Sequence, residues 1–251
     1  MQRKLGKLAP RHDARTYRLT PILNGRLIPI PASCDWSKGI SYDMNGNDQY
    51  GDCADAARAA MVLTWTSRAQ APMRLTLAQV LADYAATTRP PFDPKTGAND
   101  NGTVLLDLLN HWCRDGLSRP GQTADYLTAY GALTPTDHDS VRRAIYALGG
   151  VYLGIQVPNY LMTLAGDWTY QPNADWSLAG GHCIAAVGFD DFGPRIFTWG
   201  GTRRMEWRLW DKIVDEAYGL VSKENWTNIP GLSPNGEALD ALVAEMRASA
   251  A

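Results

Sequence analysis

Apolar positions in the first half of the chain recur at helical spacing. The run ADAARAAMVLTWTS, from Ala54 to Ser67, holds neither Gly nor Pro and predicts a helix with Asp52 as its N-cap. A second helix is expected from Thr76 (TLAQVLADYAATT) and must stop before Pro90 and Pro91. The loop RPPFDPKTGANDNG then leads to a third, TVLLDLLNHWCRDG, closed by Gly116, and SVRRAIYALGG predicts a fourth that also ends on glycine. Beyond residue 150 the texture changes. VYLGIQV, HCIAAVGF, RIFTWGG and RRMEWRLW are short, rich in β-branched and aromatic residues, and punctuated by Gly, Pro and Asp, so they read as strands. HCIAAVGF and RIFTW, joined by DDFGP, predict a hairpin, and DKIVDEAYGL reads as a short helix. Helices followed by an antiparallel sheet give an α+β class. Three regions are expected: an extended, proline-punctuated lead-in over 1–28, a main domain over 29–230, and a tail over 231–251 carrying an exposed helix.

Composition narrows the functional classes. The 251 residues are 45% hydrophobic and 20% charged, with a formal net charge of −2, so no basic face predicts nucleic acid as partner. No run of 18 apolar residues predicts a membrane span, and the basic first 20 residues lack the apolar core of a secretion signal. The expected location is therefore cytoplasmic or virion-associated. The four cysteines, Cys34, Cys53, Cys113 and Cys183, show no CxxC spacing, so neither zinc nor a dense disulfide scaffold is expected. The loop carrying Asp93, Asn99, Asp100 and Asn101 has a calcium-like composition without EF-hand spacing, and reads as a plain loop.

Cys53 is where chemistry is expected. It lies at a turn-to-helix junction, NGNDQYGDC, where a helix N-terminus stabilises a thiolate and small neighbours let a carbonyl reach backbone N–H groups. A thiol nucleophile needs a base, and the chain has four histidines. His12 lies in the lead-in, His111 on an amphipathic helix and His138 in a polar turn, whereas His182 opens a strand after Ala-Gly-Gly and is the best partner. Cys183, next along the strand, should point to the opposite face, into the core.

In order along the chain, IPASCDWSKGI, NDQYGDCADAA, LTLAQVLADY, GANDNGTVLLDLL, SVRRAIYALGGVYLGIQV, GGHCIAAVGFDD and FTWGG resemble the segments of the papain-like cysteine peptidases, in a divergent branch of bacterial and phage type. Cys53 and His182 stand 129 positions apart, which fits that family. The resemblance implies a helical half and a β-rich half with a cleft between them, Cys53 on one wall and His182 on the other. It implies no metal or organic cofactor. It also implies an oxyanion amide at Asn47, where the family has glutamine, with Gln49 nearby. A cleft lined by Gly51, Asp52, Asn101, Gly102, Gly181 and Trp199 follows from the same alignment. The family's histidine-orienting asparagine falls on Phe197 when aligned on Trp199, or on Thr198 with a one-residue gap. Tyr50 and Tyr84 stand where the family has disulfide cysteines, and no long inhibitory propeptide precedes the mature-like start. Asp52 and Asp55 would set negative charge beside the thiolate and raise its pKa.

The expected function is cleavage of peptide bonds in a peptide or protein substrate through a Cys53 thioester, with His182 as general base and acid. The rival is a papain-fold protein that no longer catalyses and serves as a structural or binding subunit of a larger assembly, such as a phage virion, held through its termini. A peptidoglycan amidase of related Cys/His chemistry fits the order and spacing less well.

Overall fold

The computed structural model describes residues 3–26, 28–226 and 236–249. In chain order the elements are β1 (Tyr17–Arg18), α1 (Leu19–Arg26), β2 (Cys34–Asp35), α2 (Cys53–Arg68), α3 (Leu77–Thr87), α4 (Leu105–Arg114), β3 (Ala129–Leu133), α5 (His138–Leu148), β4 (Val151–Pro158), α6 (Asn159–Thr163), β5 (Leu178–Phe189), β6 (Pro194–Thr198), β7 (Gly201–Arg204), α7 (Trp207–Ile213), β8 (Val214–Val221) and α8 (Leu239–Ala248). The strands form one sheet in the order β1-β3-β8-β4-β5-β6-β7, with β2 added to β5. All its pairings are antiparallel except β1 with β3.

Helices cover both faces of the sheet, and β5 shows the alternation. Ile184 and Ala186 join a core built with α1, α5, α7 and α8, while Cys183, Ala185 and Val187 join one built with α2 and α4. Helix α2 is buried on all sides from Cys53 to Thr66. Its alanines permit close approach to β5, and its one internal cation is ion-paired twice, with only Nε left without a hydrogen bond. Arg58 reaches Asp83 at 2.7 Å and Asp125 at 2.8 Å, donates to the Ser118 carbonyl, and lies over the Trp112 ring. The helix ends are set locally, and the expected glycine stop of α5 is among them. Thr76 and Gln79 form a capping box on α3, Asp137 caps α5, and Gly149 ends α5 at φ 75°.

Four expectations are corrected. The lead-in is not extended throughout: α1 forms over Leu19–Arg26, because Pro21 falls in the first turn, where a missing N–H costs no intrahelical bond. DKIVDEAYGL is helical only to Ile213. From Val214 it is β8, held in the middle of the sheet between β3 and β4, where pairing on both sides overrides the helical pattern. RRMEWRLW is strand only to Arg204, and α7 starts after Glu206. The terminal helix exists but is not exposed: α8 buries Leu239, Leu242, Val243 and Met246 beside α1 and β1. Residues 231–235, 250 and 251 of the expected tail lie outside the described residues.

Candidate active site

Cys53 is the first residue of α2, and its Sγ accepts a hydrogen bond at 3.3 Å from the backbone N–H of Cys183 on β5. One position earlier on β5, the His182 ring is buried. Its Nε2 lies 2.9 Å from the Thr198 Oγ1 at the end of β6, and its Nδ1 has no hydrogen-bond partner. The Trp199 indole stacks on the imidazole with centroids 4.5 Å apart. The hairpin β5–β6 thus brings His182 and Thr198 together. The antiparallel register pairs Ala185 with Phe197, so Phe197 faces the α2 side, in the same core as Cys53, and Thr198 takes the histidine. Of the two alignments left open by the sequence, the structure selects Thr198 as the partner of the ring. The other histidines are engaged elsewhere or exposed: His111 contacts Asp115, His138 contacts Asp211 and stacks on Trp207, and His12 is on the surface.

The lead-in lies in the cleft over these residues. Lys4 N–H donates to the Asn47 carbonyl, Thr103 N–H to the Gly6 carbonyl at 2.7 Å, Leu8 N–H to the Thr103 carbonyl, and Lys7 N–H to the Gly181 carbonyl at 3.1 Å. Trp199 Nε1 donates to the Lys4 carbonyl, and the Arg3 guanidinium sits over the Trp199 ring. Residues 3–8 therefore strap both walls. The approach is close enough to require glycine on each side. A Cβ on Gly6 would stand 1.8 Å from the Gly51 carbonyl oxygen, and one on Gly102 would stand 2.0 Å from that of Gly6. As a result Cys53 and His182 are each only 1% exposed.

Burial sets the charge state. Desolvation pushes the Cys53 thiol up to about 12, against weaker pulls from the N–H groups of Cys183 and Gly6 and a small upward push from Asp52. Desolvation pushes the His182 imidazole down to about 3, with the Arg3 charge adding to it. The resting pair is a neutral thiol and a neutral imidazole. The strap contributes to both perturbations, since it supplies Arg3 and covers the cleft. The acids beside Cys53 do not carry the charge expected of them. Burial raises Asp52 to about 8 and Asp55 well above the carboxylate range, so both are largely protonated at neutral pH. Asp52 occupies the N-cap position, yet its side chain makes no capping hydrogen bond, which corrects the expected cap.

Among the remaining predicted residues, Asn47 is buried and its Nδ2 donates to the Tyr50 carbonyl at 3.2 Å, while Gln49 is exposed at the surface. Gly51, Gly102 and Gly181 line the strap, and Asn101 is exposed to solvent. Asp100 has a role that the sequence did not signal. Its Oδ1 accepts from the Gly51 N–H and from the Tyr84 hydroxyl, both at 2.8 Å, and Tyr84 in turn accepts from the Gly102 N–H. One brace thus fixes two glycines of the same wall. Asp93 is satisfied by Lys95 N–H and the Thr96 hydroxyl, and no metal-ligating cluster occurs among the described residues. The four cysteines are free, and no described helix is long and apolar enough to cross a membrane. Strap residues Gly6 and Lys7 were also missed. Their only signal in the sequence is the glycine supply of the positions they touch.

No protein-family model matches the chain, and no curated protein matches its sequence. Solved structures do. Xylellain, a cysteine protease from Xylella fastidiosa, is 15% identical with a TM-score of 0.66, covering 88% of this chain and 98% of its own. The digestive procathepsin L2 of the Tenebrio molitor larval midgut is 13% identical with a TM-score of 0.64, covering 87% and 78%. A cysteine protease of Carica candamarcensis, solved in complex with E-64, is 14% identical with a TM-score of 0.55, covering 77% and 99%. The chain has the papain-like fold, mixed helix and antiparallel sheet, as the ordered motifs implied.

Proposed function

We propose that this papain-fold chain is a thiol hydrolase of peptide bonds, with a resting form closed by its own lead-in. The observation that carries the reading is the His182 ring. It is held at Nε2 by Thr198 and stacked on Trp199, and its Nδ1 is left unpartnered on the strand whose next N–H touches the Cys53 sulfur. With the proton on Nε2 donated to Thr198, Nδ1 keeps its lone pair. Once the strap is displaced, Nδ1 takes the Cys53 proton and Sγ attacks the substrate carbonyl carbon. The tetrahedral oxyanion is met by the Cys53 N–H at the start of α2 and by the Asn47 amide, whose long bond to Tyr50 a side-chain rotation releases. The imidazolium returns its proton to the leaving amine, giving a thioester and a free amino terminus. Water, deprotonated by Nδ1, then attacks the thioester, and the thiolate leaves and is reprotonated. Thr198 stands in for an amide orienter and, because a hydroxyl both donates and accepts, fixes the tautomer less firmly than asparagine would.

In the closed form the Gly6 N–H faces the sulfur, so the strap covers the nucleophile. A full-length Gly6→Ala chain, with its strap dislodged, should cleave a mixed library of peptides, and the same chain carrying Cys53→Ala or His182→Ala should not. Absence of any Cys53-dependent cleavage would refute the reading and leave the structural or binding subunit.

A further inference from the structure

The strap sets one cation of its own against a cation of the body. Arg3 and Arg203, on β7, line an open cavity of about 450 Å³ together with Met44, Met162, Thr163 and Trp199. Each guanidinium is held by main chain and rings rather than by acids. Arg3 lies over the Trp199 ring, 4.8 Å from its centroid, and its Nη1 donates to the carbonyls of Leu161 and Met162 at 3.0 and 2.6 Å. Arg203 lies over the Trp168 ring at 5.5 Å, and its Nη1 makes only long bonds, 3.4 Å to the Leu164 carbonyl and 3.2 Å to that of Gly166. Its Nε is buried with no hydrogen-bond partner. Neither arginine pairs with a carboxylate among the described residues. Asp167, the acid that bears on Arg203, is committed to Arg204, which meets its Oδ2 at 2.8 Å and donates a backbone N–H to its Oδ1 at 2.9 Å.

Two cations therefore share a cavity without a counter-charge. Burial lowers the pKa of both, and for Arg203 the Arg3 charge lowers it further, against a smaller upward pull from Asp167. Arg58 and Arg119, which are more deeply buried, each meet carboxylates instead. A guanidinium fork matches the paired oxygens of a phosphate group, and a dianion balances two such forks. Met44 and Met162 offer an apolar flank to an organic group carried on that anion. We infer that Arg3 and Arg203 together form a binding site for a phosphate-class dianion, inorganic phosphate or a small phosphomonoester, which holds the strap closed. Half of the site is strap and half is body. Opening carries Arg3 away from Arg203, so the anion stabilises the closed form alone and lowers the population of the open form by the factor 1 + [L]/Kd. The inference rests on the closed resting form of the reading above and needs no turnover.

The test uses the full wild-type chain at about pH 7.5, where a phosphomonoester is chiefly dianionic. Isothermal titration gives Kd for inorganic phosphate and for phenyl phosphate, with sodium chloride at matched ionic strength as the control. Strap opening is read by hydrogen exchange of the peptide carrying the Lys4, Lys7 and Leu8 amides, all three hydrogen-bonded in the closed form. Each phosphate at about ten times its Kd should slow that exchange roughly tenfold, and chloride less than about twofold. Arg203→Gln should weaken binding at least about tenfold and remove the slowing, and Arg3→Gln, which alters no residue of the body, should do the same. Phenyl phosphate binding more than about threefold tighter than inorganic phosphate assigns the site to a phosphomonoester, and equal or weaker binding assigns it to the free ion. No saturable binding of either phosphate below about 20 mM, slowing matched by chloride, binding that leaves strap exchange unchanged, or binding that survives both substitutions would overturn the site. Cys53-dependent cleavage enters none of these readouts, so its absence would overturn the hydrolase reading and leave the anion site standing.

Discussion

Replacing Gly6 with alanine should convert a silent thiol into a reactive one. The added Cβ would stand 1.8, 2.4 and 2.6 Å from the oxygen, carbon and Cα of Gly51. All three are backbone atoms, and the Gly51 N–H is itself braced by Asp100, so the wall cannot give way and the strap must lift. In the closed form the Cys53 thiol sits at about 12, against an ordinary value of 9.0. At pH 7 that corresponds to a thiolate fraction of ~10⁻⁵ when closed and ~10⁻² when exposed, a gain of ~10³ before His182 contributes. Lifting the strap also removes Arg3 from beside the imidazole, which lets His182 regain a higher pKa and pair with the thiolate. The assay is iodoacetamide labelling from pH 5 to 9, followed by peptide-resolved mass spectrometry. Cys34 and Cys113, which are raised to about 12 by burial far from the strap, serve as internal references. Cys53 labelling in Gly6→Ala should rise by two to three orders of magnitude at pH 7 while the references hold steady, and adding His182→Ala should slow it at pH 6. A Cys53 rate within threefold of the wild type would refute the argument that the lead-in is what silences the site.

Three other outcomes are expected. In a Gly6→Ala background, Thr198→Val removes the bond to Nε2 and should lower kcat/KM by about tenfold, the worth of one buried hydrogen bond, whereas Thr198→Asn should retain most activity. Asp52 is raised to about 8 in the folded state from 3.8, so the folded form holds a proton that the unfolded form releases. Stability therefore falls as pH rises above 3.8 and levels off above pH 8. Between pH 5 and 7 urea melts should lose ~2–3 kcal/mol that Asp52→Asn does not lose. Tyr84→Phe leaves the Gly102 N–H and one Asp100 contact unmet and should cost ~1–3 kcal/mol in the same melts, with little change at sites remote from the cleft wall.

The residues that carry local signals were legible in the sequence. Thr76, Gly149 and the unbroken Ala54–Ser67 run marked the start of α3, the end of α5 and α2 nearly to the residue. Cys53 and His182 could be singled out because a helix start and a glycine-flanked strand start are visible locally. What escaped depends on long-range pairing. The stretch 214–220 reads as helix in isolation and becomes strand because two neighbours hydrogen-bond it. The difference between Phe197 and Thr198 is one of β-register, which a hairpin sets only once it is formed. The charge expected on Asp52 and Asp55 vanished because burial, which no local pattern reports, outweighs the intrinsic acidity of a carboxyl group. The strap is the largest omission: its contacts join residue 6 to residues 51 and 102, and residue 7 to residues 181 and 216.

The Asp100–Tyr84 brace also bears on how the site can open. By tying the Gly51 and Gly102 main chains through a single carboxylate and phenol, it makes that side of the cleft an anvil rather than a jaw. Access to Cys53 then requires the lead-in bonds at Lys4, Gly6, Lys7 and Leu8 to break. The frequency of opening is accordingly written in six residues of lead-in, and tuning it requires no change to the body that would carry out the chemistry.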